Sequence, residues 1–430
     1  MRGVLVIVGR PNTGKSTLFN RVVGGQAAIV DEVPGVTRDR NYMEARWEGQ
    51  RFIVVDTGGF YPEGDMEIER QVREQALFAV EEADLVVHLL DGKAGLTPLD
   101  SELSELLRAS GKRVLHVVNK IDGPSKLERL YDFYGLGPED LIPVSAGTGY
   151  NFEELMDKAV SLLPPRVEQP LDYPKVAVVG RPNTGKSTLV NSLLGKRKMI
   201  VSPVPGTTRD AVDSLCAYYG RKYLLIDTAG IRRKARAYPI ERFAMLRAMR
   251  SIERADVCLV VLDAPEGITA DDQKVAGMAL NSGKGAIFLL NKWDMTREPE
   301  EAFKRLGKEM ERKLWFFPHA PFLTISALQR KRITKVFPMI DGVMKERKKT
   351  IPEAALKAIL GEAALPPLHR GRKLRLFALR QVGTEPPAFA VFADRPEGLK
   401  DDYLRHLERL IREKFGFNGT PVRILRKTGR

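Results

Sequence analysis

The sequence is poor in the side chains that build disulfide frameworks and metal clusters, with two cysteines and five histidines in 430 residues. Cys216 and Cys258 cannot cross-link several loops, which excludes a small disulfide scaffold and is typical of a protein of the reducing cytoplasm. The histidines are scattered without metal-ligand spacing. We therefore expect a cytoplasmic protein that is stabilised by packed apolar cores.

Long hydrophobic runs are absent too. The chain opens MRGVLVIVG, and its apolar run is far shorter than a signal-peptide core and ends in a glycine-rich loop. This pattern predicts no secretory signal and no membrane span. Hydrophobic residues make up 43% of the chain and charged residues 29%, as in soluble globular proteins, and the length predicts two to four domains.

Positive charge is unevenly distributed along the chain. The net charge of +14 divides into −8 for residues 1–165, +15 for 166–350 and +7 for 351–430. An acidic first third followed by a basic remainder favours a polyanionic partner that binds the back two thirds. A merely solvated surface is the alternative that composition leaves open.

One long segment occurs twice. The run GRPNTGKSTL at 9–18 returns at 180–189, and PGVTRD at 34–39 returns as PGTTRD at 205–210. DTGG at 56–59 returns as DTAG at 227–230, and NKID at 119–122 returns as NKWD at 291–294. Four motifs in the same order and nearly the same register indicate two copies of one domain.

Short apolar runs alternate with helical stretches in each copy. In the first copy the strand-like runs are Val4–Val8, Phe52–Val55, Leu85–Leu90, Val114–Val118 and Leu141–Val144. This alternation predicts an α/β fold with a doubly wound parallel sheet, and the motifs follow the strands, where such sheets bind ligands. We predict domains at 1–163, 174–349 and 350–430, with a proline-rich linker at 164–173.

Both copies contain the phosphate-binding pattern G-x-x-x-x-G-K-[ST]. Its glycines allow close backbone approach, its lysine reaches the β- and γ-phosphates, and its serine offers a hydroxyl to Mg²⁺. The predicted nucleotide contacts in these loops are Gly9, Arg10, Pro11, Asn12, Thr13, Gly14, Lys15, Ser16 and Thr17, and Gly180, Arg181, Pro182, Asn183, Thr184, Gly185, Lys186, Ser187 and Thr188.

Further residues are predicted around the metal and the γ-phosphate. Thr37 and Thr208 lie in turn-rich segments and can reach Mg²⁺ when the γ-phosphate is present, so with Lys15 and Lys186 they are the predicted catalytic residues. A turn-capping threonine is the alternative. Asp56 and Asp227 are predicted to hold Mg²⁺ with Ser16 and Ser187. The D-x-x-G segments add predicted contacts at Thr57, Gly58 and Gly59, and at Thr228, Ala229 and Gly230.

The N-K-x-D motif of each copy is predicted to select the nucleotide base. Its carboxylate can accept from both N1–H and the 2-amino group of guanine, whereas adenine would leave the charge unpaired. The backbone at Ser145-Ala146 and Ser326-Ala327 can meet the guanine O6 edge. The predicted base contacts are Asn119, Lys120 and Asp122, and Asn291, Lys292 and Asp294. The sequence thus predicts GTP and GDP, with Mg²⁺, as ligands.

The motif order resembles that of Ras-like GTPases, and two tandem copies before a short basic tail resemble the Der (EngA) family. The resemblance covers essentially the whole chain. It implies two P-loop GTPase domains and a small α+β KH-like domain. It also implies GTP hydrolysis in large ribosomal subunit assembly, with the subunit and its RNA as partners. We expect a monomer and no DNA partner.

The residue after each D-x-x-G is apolar, Phe60 or Ile231, and cannot orient the attacking water as a glutamine does. This resembles the hydrophobic-substituted GTPases, in which asparagines at the positions of Asn12 and Asn183 help to seat K⁺. The resemblance therefore implies K⁺ as a further cofactor; asparagines that only brace the loop are the alternative.

The tail is predicted to hold strands at Arg372–Gln381, Phe389–Ala393 and Thr420–Lys427, and an amphipathic helix at Asp401–Phe415. Its one G-x-x-G, at 416–419, falls between this helix and the last strand, which predicts a helix-ending turn rather than an RNA-binding loop. The basic runs 369–373 and 345–349 are better candidates for phosphate contact.

The loop after the second D-x-x-G is basic at 232–236, whereas its counterpart at 60–65 is acidic. We expect the basic loop to contact RNA or the tail in a nucleotide-dependent way. A nucleotide-gated RNA-binding scaffold with one largely non-hydrolysing site is the alternative function. An RNA-modification GTPase is disfavoured, because the tail offers no catalytic cysteine, flavin motif or metal cluster.

Overall fold

The computed structural model describes residues 3–24, 42–58, 73–74, 76–77, 79, 82–138, 140–164, 173–195, 202–203, 213–228, 240–363 and 374–429. The described residues up to Pro164 belong to one compact unit and those from Tyr173 onward belong to another. Among these residues, none of the helices has the length and apolar character that a membrane crossing requires.

The first unit is an α/β domain. Its described elements are β1 (Val4–Val8), α1 (Lys15–Gly24), β2 (Tyr42–Trp47), β3 (Gln50–Asp56), β4 (Leu85–Asp91), α2 (Pro98–Ala109), β5 (Val114–Asn119), a 3₁₀ helix (Pro124–Leu136), β6 (Leu141–Pro143) and α3 (Phe152–Leu162). All five strands predicted from apolar runs are present.

The sheet order in this unit is β2-β3-β1-β4-β5-β6. Only β2 runs antiparallel, and the central strands β1 and β4 are buried along their whole length. The chain leaves β1 toward β3 on one side and later adds β4 on the other side. The carboxyl end of β1 is therefore the topological switch point, where doubly wound sheets bind ligands.

The second unit contains a similar sheet followed by a smaller one. Its described elements are β7 (Lys175–Val179), α4 (Lys186–Leu194), β8 (Ser202–Pro203), β9 (Ser214–Tyr218), β10 (Arg221–Ile226), α5 (Ile240–Arg254), β11 (Val257–Asp263), α6 (Ala270–Asn281), β12 (Gly285–Asn291), α7 (Pro299–Lys313), β13 (Phe322–Thr324), α8 (Val336–Lys348), α9 (Glu353–Glu362), β14 (Leu376–Gly383), β15 (Ala388–Ala393), α10 (Asp401–Phe415) and β16 (Arg423–Thr428), with short 3₁₀ helices at Trp293–Met295, Ile333–Lys335 and Pro396–Gly398.

The larger sheet has the order β13-β12-β11-β7-β10-β9-β8, so β7 lies at the same switch point as β1. The smaller sheet, β14-β15-β16, has a core of its own against α9 and α10, which includes Leu379, Phe389 and Leu407. The fold class is therefore as predicted: two doubly wound α/β domains and a small α+β domain. The residue-level domain boundaries stay a prediction.

Two strands of the small domain begin three or more residues later than predicted. The ladder of β14 begins at Leu376, where it pairs with Ala393, rather than at the predicted residue 372, which lies outside the described residues. The last strand begins at Arg423 rather than Thr420. Pro421 has no N–H for a ladder, and the Thr420 carbonyl accepts from Arg412 instead. The predicted helix at Asp401–Phe415 is confirmed.

Candidate nucleotide-binding sites

The first phosphate-binding loop connects β1 to α1. Two of its glycines are required by close contacts. A Cβ on Gly9 would lie 2.4 Å from the Leu89 carbonyl oxygen, and one on Gly14, where φ is 95°, would lie 2.3 Å from Asn119 Nδ2. The second loop repeats this geometry at Gly180 and Gly185. The two loops therefore have the same backbone shape, which a larger side chain would disrupt.

A lysine occupies the interior of each loop, Lys15 buried and Lys186 half-buried. Lys15 Nζ donates to the carbonyl oxygens of Gly9 and Arg10, both at 2.8 Å, and Lys186 Nζ donates to that of Arg181 at 2.6 Å. Burial lowers the pKa of each lysine to about 8, opposed by the nearby carboxylates of Asp56 and Asp272 respectively. A bound polyanion would favour the charged form of each ammonium.

The predicted magnesium ligands of the first site lie together. Ser16 Oγ donates to Asp56 Oδ2 at 2.6 Å, and the Gly58 amide donates to the other carboxylate oxygen at 2.8 Å. Asp56 is 3% exposed. A hydroxyl and a carboxylate are the hard oxygen donors that Mg²⁺ prefers, so this pair fits the metal.

In the second site Asp227 has a different setting. It follows β10 with a φ of 55°, its amide donates to Asp213 at 3.0 Å, and its carboxylate accepts from Ser251 at 3.4 Å. Its partner in the prediction, Ser187, is the second residue of α4. The same two donor types are present here, so the set also fits Mg²⁺.

Asn119 and Asn291 join three segments of their sites. Asn119 Nδ2 donates to the Thr13 carbonyl at 2.7 Å, and its Oδ1 accepts from the Ala146 amide at 2.9 Å. Asn291 makes the same two bonds, at 2.8 and 2.9 Å, with Thr184 and Ala327. One amide side chain thereby connects the phosphate loop to the loop that is predicted to meet guanine O6.

Each N-K-x-D lysine is held by an aspartate that the sequence analysis missed. Lys120 Nζ lies 2.5 Å from Asp91 Oδ2 and 2.7 Å from the Asn12 carbonyl. Lys292 Nζ lies 2.5 Å from Asp263 Oδ2. Asp91 and Asp263 end β4 and β11 and are related by the same offset of 172 as the N-K-x-D motifs, which is the signal that could have identified them.

The base-reading carboxylates differ between the sites. Asp122 accepts from Ser145 Oγ at 2.9 Å and from Lys126 Nζ at 2.5 Å. The Lys126 hydrogen bond, followed by that of Ser145, lowers the pKa of the Asp122 carboxyl. Counting from the lysine of N-K-x-D, the residue at the position of Lys126 in the second copy is Glu298.

Arg10 and Arg181 brace their loops against the following helix. Arg10 Nε contacts both carboxylate oxygens of Asp100, at 3.1 and 3.0 Å. Arg181 contacts Glu266 at 2.5 Å and Asp272 at 3.5 Å. Asp100 and Asp272 also complete capping boxes with Thr97 and Thr269. The repeated T-x-x-D could have been read from the sequence, but not its pairing with the arginines.

Several predicted residues lie outside the described residues. They are Thr37, Gly59 and Phe60 of the first copy, Thr208, Ala229, Gly230 and Ile231 of the second copy, the loops 60–65 and 232–236, and the basic run 369–373. Their roles stay predictions. Within the described part of the chain, no group of three or more His, Cys, Asp or Glu side chains is placed to hold a metal.

The G-x-x-G of the tail is packed against the second α/β domain. The Gly419 amide donates to the His319 carbonyl and its carbonyl accepts from the Ala286 amide, both at 2.8 Å. Phe417 is fully buried, and its amide donates to Glu346 at 2.7 Å. Gly416 ends α10 with a φ of 86°. The prediction of a helix-ending turn is confirmed.

Two doubly wound domains, each with a P-loop at its switch point and N-K-x-D after a neighbouring strand, define the class of P-loop GTPases. The family model described as "50S ribosome-binding GTPase" matches residues 4–120 and 175–292. A second model, "KH-domain-like of EngA bacterial GTPase enzymes, C-terminal", matches residues 351–427.

Full-length relatives are also similar. GTPase Der of Thermodesulfovibrio yellowstonii is 48% identical, with 98% of each chain covered, and GTPase Der of Moorella thermoacetica is 45% identical, with 99% of each covered. A solved structure of Era with MgGDPNP and a 16S ribosomal RNA fragment is 23% identical, covers 60% of this chain and 93% of its own, and gives a TM-score of 0.32. The chain belongs to the Der (EngA) family of GTPases and binds and hydrolyses GTP with Mg²⁺.

Proposed function

We propose that this chain is a nucleotide-switched factor in large ribosomal subunit assembly, with GTP hydrolysis at both of its sites. The observation that carries the proposal is that the phosphate loop and its connection to the loop predicted to meet guanine O6, which we name the guanine loop, occur twice in the described residues. In both copies one asparagine connects the P-loop to the guanine loop. One lysine, buried in the first copy and half-buried in the second, lies inside each P-loop. The named 50S ribosome-binding family model supports the ribosomal partner.

In the proposed reaction the chain's own residues position the triphosphate. Lys15 and Lys186 exchange carbonyl partners for phosphate oxygens, and the P-loop amides hold the remaining oxygens. Bound Mg²⁺, held by Ser16 and Asp56 or by Ser187 and Asp227, supplies charge neutralisation at the phosphates. Thr37 and Thr208 sense the γ-phosphate and release on hydrolysis, which switches the affinity for the ribosomal particle.

Separate substitution of the two lysines tests this function. Lys15→Ala and Lys186→Ala should each abolish turnover at one site, by about 10²-fold or more, and leave the other site active. GTP turnover of each variant and its co-sedimentation with large subunits in GDP or a non-hydrolysable GTP analogue are the measurements. If one variant retains full turnover, the scaffold with one silent site replaces the two-site enzyme.

We also propose that K⁺ occupies a position beside the phosphates near Asn12 and Asn183. Both asparagines take the left-handed conformation, with φ of 65° and 64°, so the two loops share this feature. The cation would supply at the phosphates the positive charge that an arginine finger supplies in other GTPases. The test is GTP turnover in KCl and in NaCl at the same ionic strength. Equal rates in the two salts would contradict the K⁺ proposal. A cytoplasmic monomer is the expected working form.

A further inference from the structure

The guanine loop of each copy continues into a tight turn of the same backbone shape. In the first copy the Ser145 amide donates to the Tyr150 carbonyl at 3.0 Å. In the second, Ser326 and Lys331 exchange two backbone hydrogen bonds, at 3.2 and 3.0 Å. Residues 147–151 therefore correspond to residues 328–332, which we name the basic turn, because its sequence is Leu-Gln-Arg-Lys-Arg.

Two positions of this turn require positive φ in both copies. In the first copy they hold Gly149 (φ 90°) and Asn151 (φ 58°), the residue types that tolerate this conformation best. In the second copy they hold Arg330 (φ 56°) and Arg332 (φ 59°). Arginine disfavours positive φ, so the backbone of the second copy is strained at two positions where the first copy has residues that tolerate this conformation.

The strained arginines are presented to solvent. All five residues of the basic turn are exposed, and Leu328 keeps 76% of its surface accessible. Among the described residues, no carboxylate lies within ion-pair distance of Arg330, Lys331 or Arg332. Arg332 Nη1 donates to Thr324 Oγ1 at 2.5 Å, which orients the guanidinium without neutralising it.

The basic turn is attached directly to the second guanine site. Ala327, the residue before it, donates its amide to Asn291 Oδ1, and Ser326 Oγ accepts from the Gln329 amide at 3.0 Å. We infer that the basic turn is an RNA contact, in which Arg330, Lys331 and Arg332 bind backbone phosphates beside the second nucleotide site. Three exposed cations without a carboxylate partner among the described residues supply the positive charge that attracts a phosphate chain. The inference rests on the proposed function for its partner class.

An exchange between the two copies provides the test. Arg330→Gly with Arg332→Asn installs the first copy's residues in the full-length chain. Binding of a fluorescein-labelled 30-nucleotide poly(U) RNA is measured by anisotropy from 50 to 300 mM KCl. The loss of two phosphate contacts should weaken binding at least tenfold at low salt and reduce the slope of log K against log [KCl] by about 1.4. The same variant should unfold at a higher temperature, because the strain is removed.

Opposite effects on stability and binding separate a binding role from a structural one. Arg330→Lys with Arg332→Lys is the matched control, because it keeps both charges and should retain most of the affinity and the salt slope. An unchanged slope in the Gly/Asn variant, or a loss of affinity that accompanies a lower unfolding temperature, would overturn the inference. If the chain without substitutions binds neither poly(U) nor large subunits, the result would contradict the proposed function rather than the role of the basic turn.

Discussion

Among single residues, the two predicted guanine pockets differ in the partner of the carboxylate that is predicted to read the base. Lys126 contacts Asp122 at 2.5 Å, so guanine has to compete with an ammonium for the same oxygen atoms. The second pocket has Glu298 at this position, and no lysine or arginine forms an ion pair with Asp294 among the residues that the structure describes. The two sites are therefore expected to hold GDP with different strengths, even though their phosphate loops are alike.

Lys126→Ala should slow GDP dissociation from the first site. The pair is solvent-exposed, so the expected change is modest, about two- to fivefold. Dissociation of a fluorescent GDP is measured in chains that carry Asp294→Asn, which removes guanine binding from the second site. The reciprocal change, Glu298→Lys in an Asp122→Asn chain, should accelerate release from the second site. Faster release after Lys126→Ala would mean that the lysine supports the base rather than competing with it.

A second residue-scale feature is a hydrogen bond from the helix after each P-loop to the backbone of the guanine loop. Arg21 of α1 donates to the carbonyl oxygens of Ala146 and Gly147, both at 2.6 Å. Ser192, at the same position of α4, donates to the Ala327 carbonyl at 2.8 Å. Because Asn119 and Asn291 hold the amides of the same alanines, each alanine is fixed through both of its peptide groups.

Arg21→Ala should accelerate GDP release from the first site about tenfold, the effect of roughly 1.4 kcal/mol of lost binding energy. It should also weaken the preference for GDP over 6-thio-GDP, because the loop faces the O6 edge. Arg21→Ser imports the second copy's hydroxyl and should restore part of both losses. Equal acceleration for the two nucleotides would indicate general loosening of the domain instead.

At the scale of elements, β4 and β5 carry a buried histidine pair. His88 and His116 are paired in register, with ring centroids 5.3 Å apart. His88 is fully buried, and neither of its ring nitrogens has a partner among the described residues, while His116 Nε2 lies 3.0 Å from Ser104 Oγ. Burial lowers their pKa values to about 3 and about 4, helped by His116 and Arg108 respectively.

This pair should make the first domain acid-sensitive. Both folded-state pKa values lie below the ordinary value of about 6.5, so the unfolded chain takes up protons first as the pH falls. The contribution of His116 to stability is therefore complete well above pH 6.5 and falls by about 3 kcal/mol as the pH drops from about 6.5 to 4. The contribution of His88 continues to fall to about pH 3. Urea unfolding followed by Trp47 fluorescence, in a Trp293→Phe and Trp315→Phe background, measures it.

The second copy supplies the control for this prediction. Its residues at the two positions are Val260 and Phe288, both buried. His88→Val with His116→Phe should therefore remove most of the loss between pH 6 and pH 4 and leave the nucleotide sites unchanged. A variant with the same acid profile as the original chain would show that other groups control the acid sensitivity.

The turn at 416–419 fixes the small domain to the second GTPase domain. Gly419 has a φ of 72°, and a Cβ there would lie 2.5 Å from Val343 Cγ2 and 3.0 Å from Pro321 Cδ. Gly419→Ala should destabilise this junction by roughly 2–3 kcal/mol. Faster hydrogen exchange at the Ala286 amide, which donates to the Gly419 carbonyl, is the direct measurement. Gly361→Ala, at an open position in α9, should leave that amide unchanged.

Local patterns predicted the elements well, and they predicted the site only in part. The apolar runs and the P-loops lie within short segments, so periodicity and spacing identify them. The contacts that brace the sites join distant segments. Arg10 and Asp100 are 90 residues apart, and Arg21 and Ala146 are 125 apart. Such pairs depend on how helices pack against the sheet, which residue spacing in a single sequence does not encode.

At the scale of the whole molecule, charge separates the first third of the chain from the remainder. The first 165 residues carry a net charge of −8, whereas the remainder carries +22. The exposed Glu153 and Glu154 at the start of α3 belong to the acidic part. A polyanion should therefore be attracted to the second unit and repelled by the first, which orients the molecule before any specific contact forms.

This charge separation predicts which neutralisations affect RNA binding. Glu153→Gln with Glu154→Gln should leave the poly(U) affinity within about twofold and the salt slope unchanged, because the acidic unit makes no phosphate contacts. The original chain should lose affinity steeply with KCl, by about 300-fold between 50 and 200 mM if six phosphates of the single strand are bound. Anisotropy titrations in KCl measure both quantities. A shallow salt dependence, or a steeper one in the glutamine variant, would contradict binding through the basic part of the chain.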